Sequence, residues 1–316
     1  MRNSPTCAFA VALCLVGATN GLADERPALL GWATVGKGTT GGEGGAVYRA
    51  ASAEEFARAM EAESPKVIEI TAEVKLEKPA RVTSDTTVIG AGADGKIIGG
   101  GLQLRRVHNV IVRNLVISQA ADAIDIEQSH HVWVDHCDLS NCRDGLLDIK
   151  RGSDFITVSW NHFHDHHKTC LLGHSDKDDV REIDRGHLRV TYHHNFFDGT
   201  KTRHPRVRFA EGVHVFNNYF RQNEYGVASV MDAGVIVESN VFEDVEHPTL
   251  TAYGDSPNPG RLVAHDNVLI RSGKIETRGV VETTSLSYRY SLDPVDSLQS
   301  LITTQVGIRH HDKPAR

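Results

Sequence analysis

One phrase recurs along the chain: alternating β-branched residues, then a polar residue, then an apolar pair. It reads VHNVIVRNLVI around Asn114, HHVWVDHCDL around His136, FITVSWNHF around Asn161 and LRVTYHHNFF around Asn195. It continues as VHVFNNYF around Asn218, GVIVESNVF around Asn240 and RLVAHDNVLI around Asn267. Successive phrases lie 22–27 residues apart, except for one step of 34 between Asn161 and Asn195 that carries an insertion. A period in this range marks stacked repeats. Each repeat alternates like a strand, so the stack is an all-β solenoid. Stacking converts sequence period into spatial neighbourhood: residues one period apart lie in adjacent strands, about 4.8 Å apart. Asn195, Asn218 and Asn240 are read as structural, because stacked amides hydrogen-bond along the coil axis and tolerate tight turns.

The repeats occupy residues 107–270 and leave no linker, so residues 24–316 form one domain of the 316. Residues 1–23 read as an export signal: Arg2 is a basic start, residues 8–18 are apolar, and Gly21 and Ala23 are small. That places the mature protein in the periplasm or outside the cell, with no segment long and apolar enough to span a bilayer. Removing the leader removes Cys7 and Cys14 and leaves Cys137, Cys142 and Cys170. A Cys137–Cys142 bridge and buried free thiols are both open. The net charge of −7 argues against a general nucleic-acid binder but allows a polyanionic substrate on a local basic patch. Ser52 is placed to cap a short helix through AEEFARAMEA, with Glu55 at the capping-box position, covering the open N-terminal end of the coil. The tail from Lys274 has no repeat and is expected to pack along the coil or cap it.

Three acids stand out. Asp144 and Asp148 lie in DGLLDIK, where a continuous strand would point i and i+4 to one face. Asp122, in ADAIDIE, lies one coil earlier. Like charges so placed invite a cation, and oxygen-only ligands suit Ca²⁺; solvated surface acids are the alternative. Lys168 follows one coil later, and TRHPRVRF supplies Arg203, Arg206 and Arg208. Pro205 lies between Arg203 and Arg208, so simple alternation is no guide there. Opposed acidic and basic groups could also be a salt-bridge network. The histidines at 162, 164, 166 and 167 read as solvated loop residues, and density alone makes no metal site.

At these residues the chain resembles the pectate lyases of polysaccharide lyase family 1, which are right-handed parallel β-helices. The resemblance runs from Asp122 through VWVDH, DGLLDIKRGSDFITVSWN, DHHKTCLLGHSD, VTYHHNFF, RHPRVR and VHVFNNYF to SYRYSLDP. It implies calcium ligands at Asp122, Asp144 and Asp148, a catalytic arginine at Arg203, and substrate carboxylates bound by Lys168 and Arg208. Some members carry a further acid where this chain has Ala120, which implies a simpler calcium site. The implied reaction is β-elimination on polygalacturonate by a monomer, with no nucleic acid or membrane partner. Arginine has an ordinary pKa above 12, so its use as a base implies an alkaline optimum. A hydrolase would need carboxylates as acid and base but no catalytic arginine. A non-catalytic carbohydrate-binding helix, or a lyase for another uronate polymer, are the other readings.

Overall fold

The computed structural model describes residues 29–282 and 286–309. The expected leader, with Cys7 and Cys14, lies outside them. The repeated phrase folds into a parallel β-solenoid of about ten turns. Three parallel sheets form its walls. A ten-stranded sheet runs from Ala46–Ala50 to Arg261–His265, a nine-stranded sheet from Glu73–Lys75 to Val268–Ile270, and an eight-stranded sheet from Ala80–Arg81 to His247–Leu250. Alternation turns every second side chain inward. Like residues then stack on like, because the register is set by the repeat: Val110 pairs with Val132, and Val132 with Ile156. The same rule stacks Phe163, Phe197, Phe220 and Phe242 along the interior, with ring centroids 5.1, 4.9 and 4.5 Å apart. All four rings are fully buried, where each contributes about 1.5–3 kcal/mol of transfer energy.

The asparagine reading holds at the corner between the ten- and nine-stranded sheets. Each Nδ2 donates to the next Oδ1, from Asn161 to Asn195, Asn218, Asn240 and Asn267, at 3.0, 3.0, 3.0 and 2.9 Å. The same amides also donate back to carbonyls of the preceding coil, as Asn218 does to Tyr192 at 2.9 Å. Asn114 and His136 do not belong to this column. They sit one residue earlier, at the turn position of positive φ (53° and 48°), and Leu115 and Cys137 fill the ladder position of their coils. Cys137 keeps only the backbone half of the pattern, its N–H donating to Asn161 Oδ1 at 2.9 Å.

The coil also begins earlier than residue 107. Lys66–Ile70 and Thr86–Gly90 are full members of the ten-stranded sheet and lack only the asparagine phrase. The capping helix is Ala53–Glu61. Ser52 Oγ accepts from the Glu55 N–H at 3.3 Å, and Glu55 Oε2 accepts from the Ala51 N–H at 2.8 Å. Phe56 and Ala59 turn into the same core as Ala50 and Ile68, so the helix closes that end. Lys66, fully buried, donates its ammonium to the helix-end carbonyls of Met60 (2.5 Å) and Ala62 (2.6 Å). The tail packs along the coil: in the helix Val295–Gln305, Leu298 and Ile302 lie on Phe196, Tyr219 and Val241. Cys137, Cys142 and Cys170 are all free thiols, and burial raises the pKa of each. Among the described residues, no helix is long and apolar enough to cross a membrane.

Candidate active site

The opposed charges gather on the eight-stranded sheet. In the strand Leu147–Lys150, Leu147 and Ile149 turn into the core, so Asp148 and Lys150 face outward. Asp144 is not on that strand. It lies in the bend before it, so alternation does not put it beside Asp148; the turn does. The two carboxylates differ accordingly. The Asp144 side chain is 58% exposed, whereas Asp148 is only 5% exposed.

Register explains the third acid. Ile124 pairs with Leu147 and Leu147 with Cys170, which aligns Asp122 with Gly145 and Gly145 with Lys168. An isolated bridge then joins Lys168 to Thr202. One column therefore carries Asp122, Gly145, Lys168 and Thr202 on successive coils. Gly145 sits between two of the acids. Its N–H donates to Asp122 Oδ1 at 2.8 Å, and a Cβ there would meet Asp148 Oδ1 at 2.3 Å. Glycine lets the backbone and both carboxylates share this place without a shift of the Asp148 side chain.

The register slips by one residue after Thr202. Lys168 pairs with Thr202, but Leu171 pairs with Arg206. The extra residue falls in the stretch from Arg203 to Pro205, and Arg203 takes φ 69°. Such a bulge re-aims a side chain next to a site.

Most charges here are paired. Lys168 Nζ donates to Asp144 Oδ1 at 2.9 Å, and this bond holds the Asp144 carboxyl below its ordinary range. Lys150 pairs with Asp125 at 2.9 Å. Arg208, buried, donates to Asp176 Oδ1 at 2.5 Å and to the Gly173 carbonyl at 3.0 Å. Arg206 reaches the hydroxyl of Ser256 at 2.9 Å, and that hydroxyl donates to Asp176 at 3.0 Å. Two groups break the pattern. Asp148 Oδ1 is buried with no hydrogen-bond partner. Burial, and then the charge of Asp122, push the Asp148 carboxyl up to about 7. The Arg203 guanidinium makes no hydrogen bond or ion pair among the described residues, yet its charge is felt by both Asp144 and Asp148.

Asp122, Asp144 and Asp148 thus line one wall with Lys168 and Arg203 beside them, while Arg208 lies further along, locked to Asp176. The carboxylate oxygens of the three acids do not all come within 4.8 Å of one another. That spread suits like charges with no cation between them. An orphaned buried carboxylate oxygen beside two more acids is an oxygen-only donor set that a hard cation such as Ca²⁺ would complete.

Sequence reasoning did not single out Asp125, Lys150, Gly145 or Asp176. Asp125 is the cross-strand partner of Asp148 and was legible from the 23-residue step alone. Asp176 was not legible, because it arrives on the insertion after Leu172, outside the repeat. The histidines are corrected in part. His162 and His164 lie on the strand His162–His164 rather than on an exposed loop, and both face Asp138.

Residues 3–310 match the family described as pectate lyase. The chain is 34% identical to a pectate trisaccharide-lyase of Bacillus licheniformis, over 92% of this chain and 89% of that protein. It is 35% identical to pectate lyase A of Emericella nidulans, over 91% and 89%. Among solved structures it superposes on pectate lyase Bsp165PelA of Bacillus sp. N165 in complex with trigalacturonate. There the TM-score is 0.79 at 26% identity, covering 89% of this chain and 99% of that one.

Proposed function

Because the chain belongs to the pectate lyase family and is a polysaccharide lyase, we propose that it cleaves α-1,4-linked polygalacturonate by calcium-dependent β-elimination. One observation carries this reading: beside the paired Lys168–Asp144 and Arg208–Asp176, Asp148 Oδ1 is buried with no hydrogen-bond partner and the Arg203 guanidinium makes no ion pair among the described residues. An orphaned buried carboxylate oxygen costs about 1–3 kcal/mol or more, a cost that a bound cation would remove. The trigalacturonate bound by the Bacillus sp. N165 relative supports an unesterified galacturonan as the substrate.

Asp122, Asp144 and Asp148 would hold the calcium ion. When bound, it supplies positive charge against the negative charge that develops on a substrate carboxylate. Arg203, in its neutral guanidine form, takes the proton from C5, next to the C6 carboxylate, and becomes guanidinium. The C5–H electron pair becomes the C4–C5 double bond, and the C4–O bond breaks with its pair on the leaving oxygen. That oxygen is then protonated from solvent, leaving a 4,5-unsaturated end. Lys168 binds a substrate carboxylate in exchange for its bond to Asp144. Arg208, preset by Asp176 and the Gly173 carbonyl, offers its remaining N–H edge to another. The enzyme acts as a monomer and is exported to the periplasm or the medium by residues 1–23.

The test is ultraviolet absorbance of polygalacturonate incubated with the enzyme, with calcium and separately with a chelator. The expected result is a rise that requires calcium. New reducing ends without absorbance would mean hydrolysis and would overturn the proposal.

A further inference from the structure

Asp138, His162 and His164 lie on the nine-stranded sheet, on a different wall from the acids described above. His162 and His164 are two apart on one strand and so share a face, and Asp138 pairs with His162 from the neighbouring strand. One ligand atom from each lies within 4.8 Å of the other two. His164 Nε2 is 2.9 Å from Asp138 Oδ1, and His162 Nδ1 is 3.4 Å from Asp138 Oδ2. Ligands about 2.0–2.1 Å from a tetrahedral Zn²⁺ sit roughly 3.3 Å apart, so both histidine–Asp138 separations are near those of a coordinated ion.

The outer groups are what distinguish it from a chance pairing. Each imidazole turns one nitrogen to Asp138 and the other to a separate carboxylate. His162 Nε2 meets Asp198 at 3.4 Å, and His164 Nδ1 meets Asp165 at 2.8 Å. Asp198 is in turn held by Arg221 Nε at 2.9 Å. The His162 ring lies flat on Phe196, with centroids 5.3 Å apart. Metal-binding histidines almost always pass their second N–H to a carboxylate, carbonyl or water, which sets the tautomer and the ring direction. Both rings here have that support before any metal arrives. Gly307 passes beside the cluster: a Cβ there would lie 3.4 Å from His162 Cβ and 3.9 Å from Asp138 Oδ2.

We propose that Asp138, His162 and His164 form a transition-metal site that takes Zn²⁺, with an open position for water. Two imidazoles and one carboxylate select Zn²⁺ or Co²⁺ over Ca²⁺, which prefers oxygen alone. The chain would then carry two metal sites of opposite ligand preference on different walls. This site is independent of the lyase reading, because none of its residues belongs to the catalytic wall.

The test strips the full-length protein with chelator and titrates Zn²⁺ by calorimetry, with a large excess of Ca²⁺ present throughout. One equivalent should bind to wild type, and Co²⁺ should give the visible bands of a four-coordinate site. Asp138→Asn and the double variant His162→Gln/His164→Gln should lose that equivalent. Asp198→Asn should weaken it about tenfold. Calcium-dependent turnover should stay unchanged in Asp138→Asn. No zinc uptake by wild type, or uptake unchanged in the double variant, overturns the proposal. If the variants fail to fold, the Co²⁺ spectrum of wild type decides: octahedral bands alone also overturn it.

Discussion

The asparagine corner and the acidic wall are built from the same coils by opposite rules. At the corner each coil repeats its neighbour, and each buried amide of the ladder is hydrogen-bonded to the next and to the preceding coil. On the wall successive coils offer Asp122, Gly145, Lys168 and Thr202, no two alike, and the register slips before Arg206. Repetition satisfies polar groups; departure from it leaves Asp148 and Arg203 unsatisfied. On these coils the repeating corner holds the fold, and the irregular wall leaves charged groups open to a ligand.

If that division is right, changes on the wall should alter chemistry and spare stability, and changes at the corner should do the reverse. The largest expected effect is at Arg203. Arg203→Ala should lower turnover of polygalacturonate about 10³-fold, while denaturant melts shift by less than about 1 kcal/mol. A large loss of stability would make Arg203 a structural residue. At the corner, Asn218→Ala removes donors to Tyr192, Phe216 and Asn240 and strands the amide of Asn195. It should cost about 3 kcal/mol in urea melts and leave the KM of the folded enzyme unchanged.

Asp148→Asn should run against the usual direction. The carboxyl is pushed up to about 7, so its contribution to stability is present below the unfolded value and lost as pH rises through about 7. Metal-free protein should therefore gain about 1–3 kcal/mol from the substitution at pH 8 and nothing at pH 4, while added calcium ceases to raise the melting temperature. Chemical melts across that range would show it.

His204 follows Arg203 but is fully buried, its ring bonded to the Tyr225 carbonyl at 2.6 Å and to Thr200 at 2.9 Å. Burial pushes it down to about 3. The unfolded chain binds that proton first, so stability should fall as pH drops from about 6.5 toward 3, by up to about 1.4 kcal/mol per pH unit. His204→Gln should flatten that slope. The smallest effect belongs to Lys168→Met. Its ion pair with Asp144 is exposed, so stability should change by less than about 1 kcal/mol. KM for polygalacturonate should nevertheless rise about tenfold, and an unchanged KM would remove Lys168 from the binding wall.

Legibility in the sequence followed the same division. The amide column could be read because Asn195, Asn218 and Asn240 repeat. The segments Lys66–Ile70 and Thr86–Gly90 read as short strands but not as coils of the repeat, because they lack that mark. Asp122, Asp144 and Asp148 could be picked out as charges that no coil needs. Their arrangement could not, since Asp144 sits in a bend where alternation fails and Asp122 aligns with Gly145 rather than with either acid. Asp176 arrives from outside the period, and Asp138 looks like any surface acid until register sets His162 opposite it.

The column from Asp122 to Thr202 also works as a ruler. Its marks are about 4.8 Å apart, because each is one coil. A polymer lying along it meets a different side chain at each mark, so the order of charges along the chain sets where on the polymer each is felt. Deleting or duplicating a whole coil beyond either end would change how many sugar units the wall spans without moving the marks between Asp122 and Arg203. Reach and chemistry are therefore separable properties of this enzyme, one counted in coils and the other held in a single slipped residue.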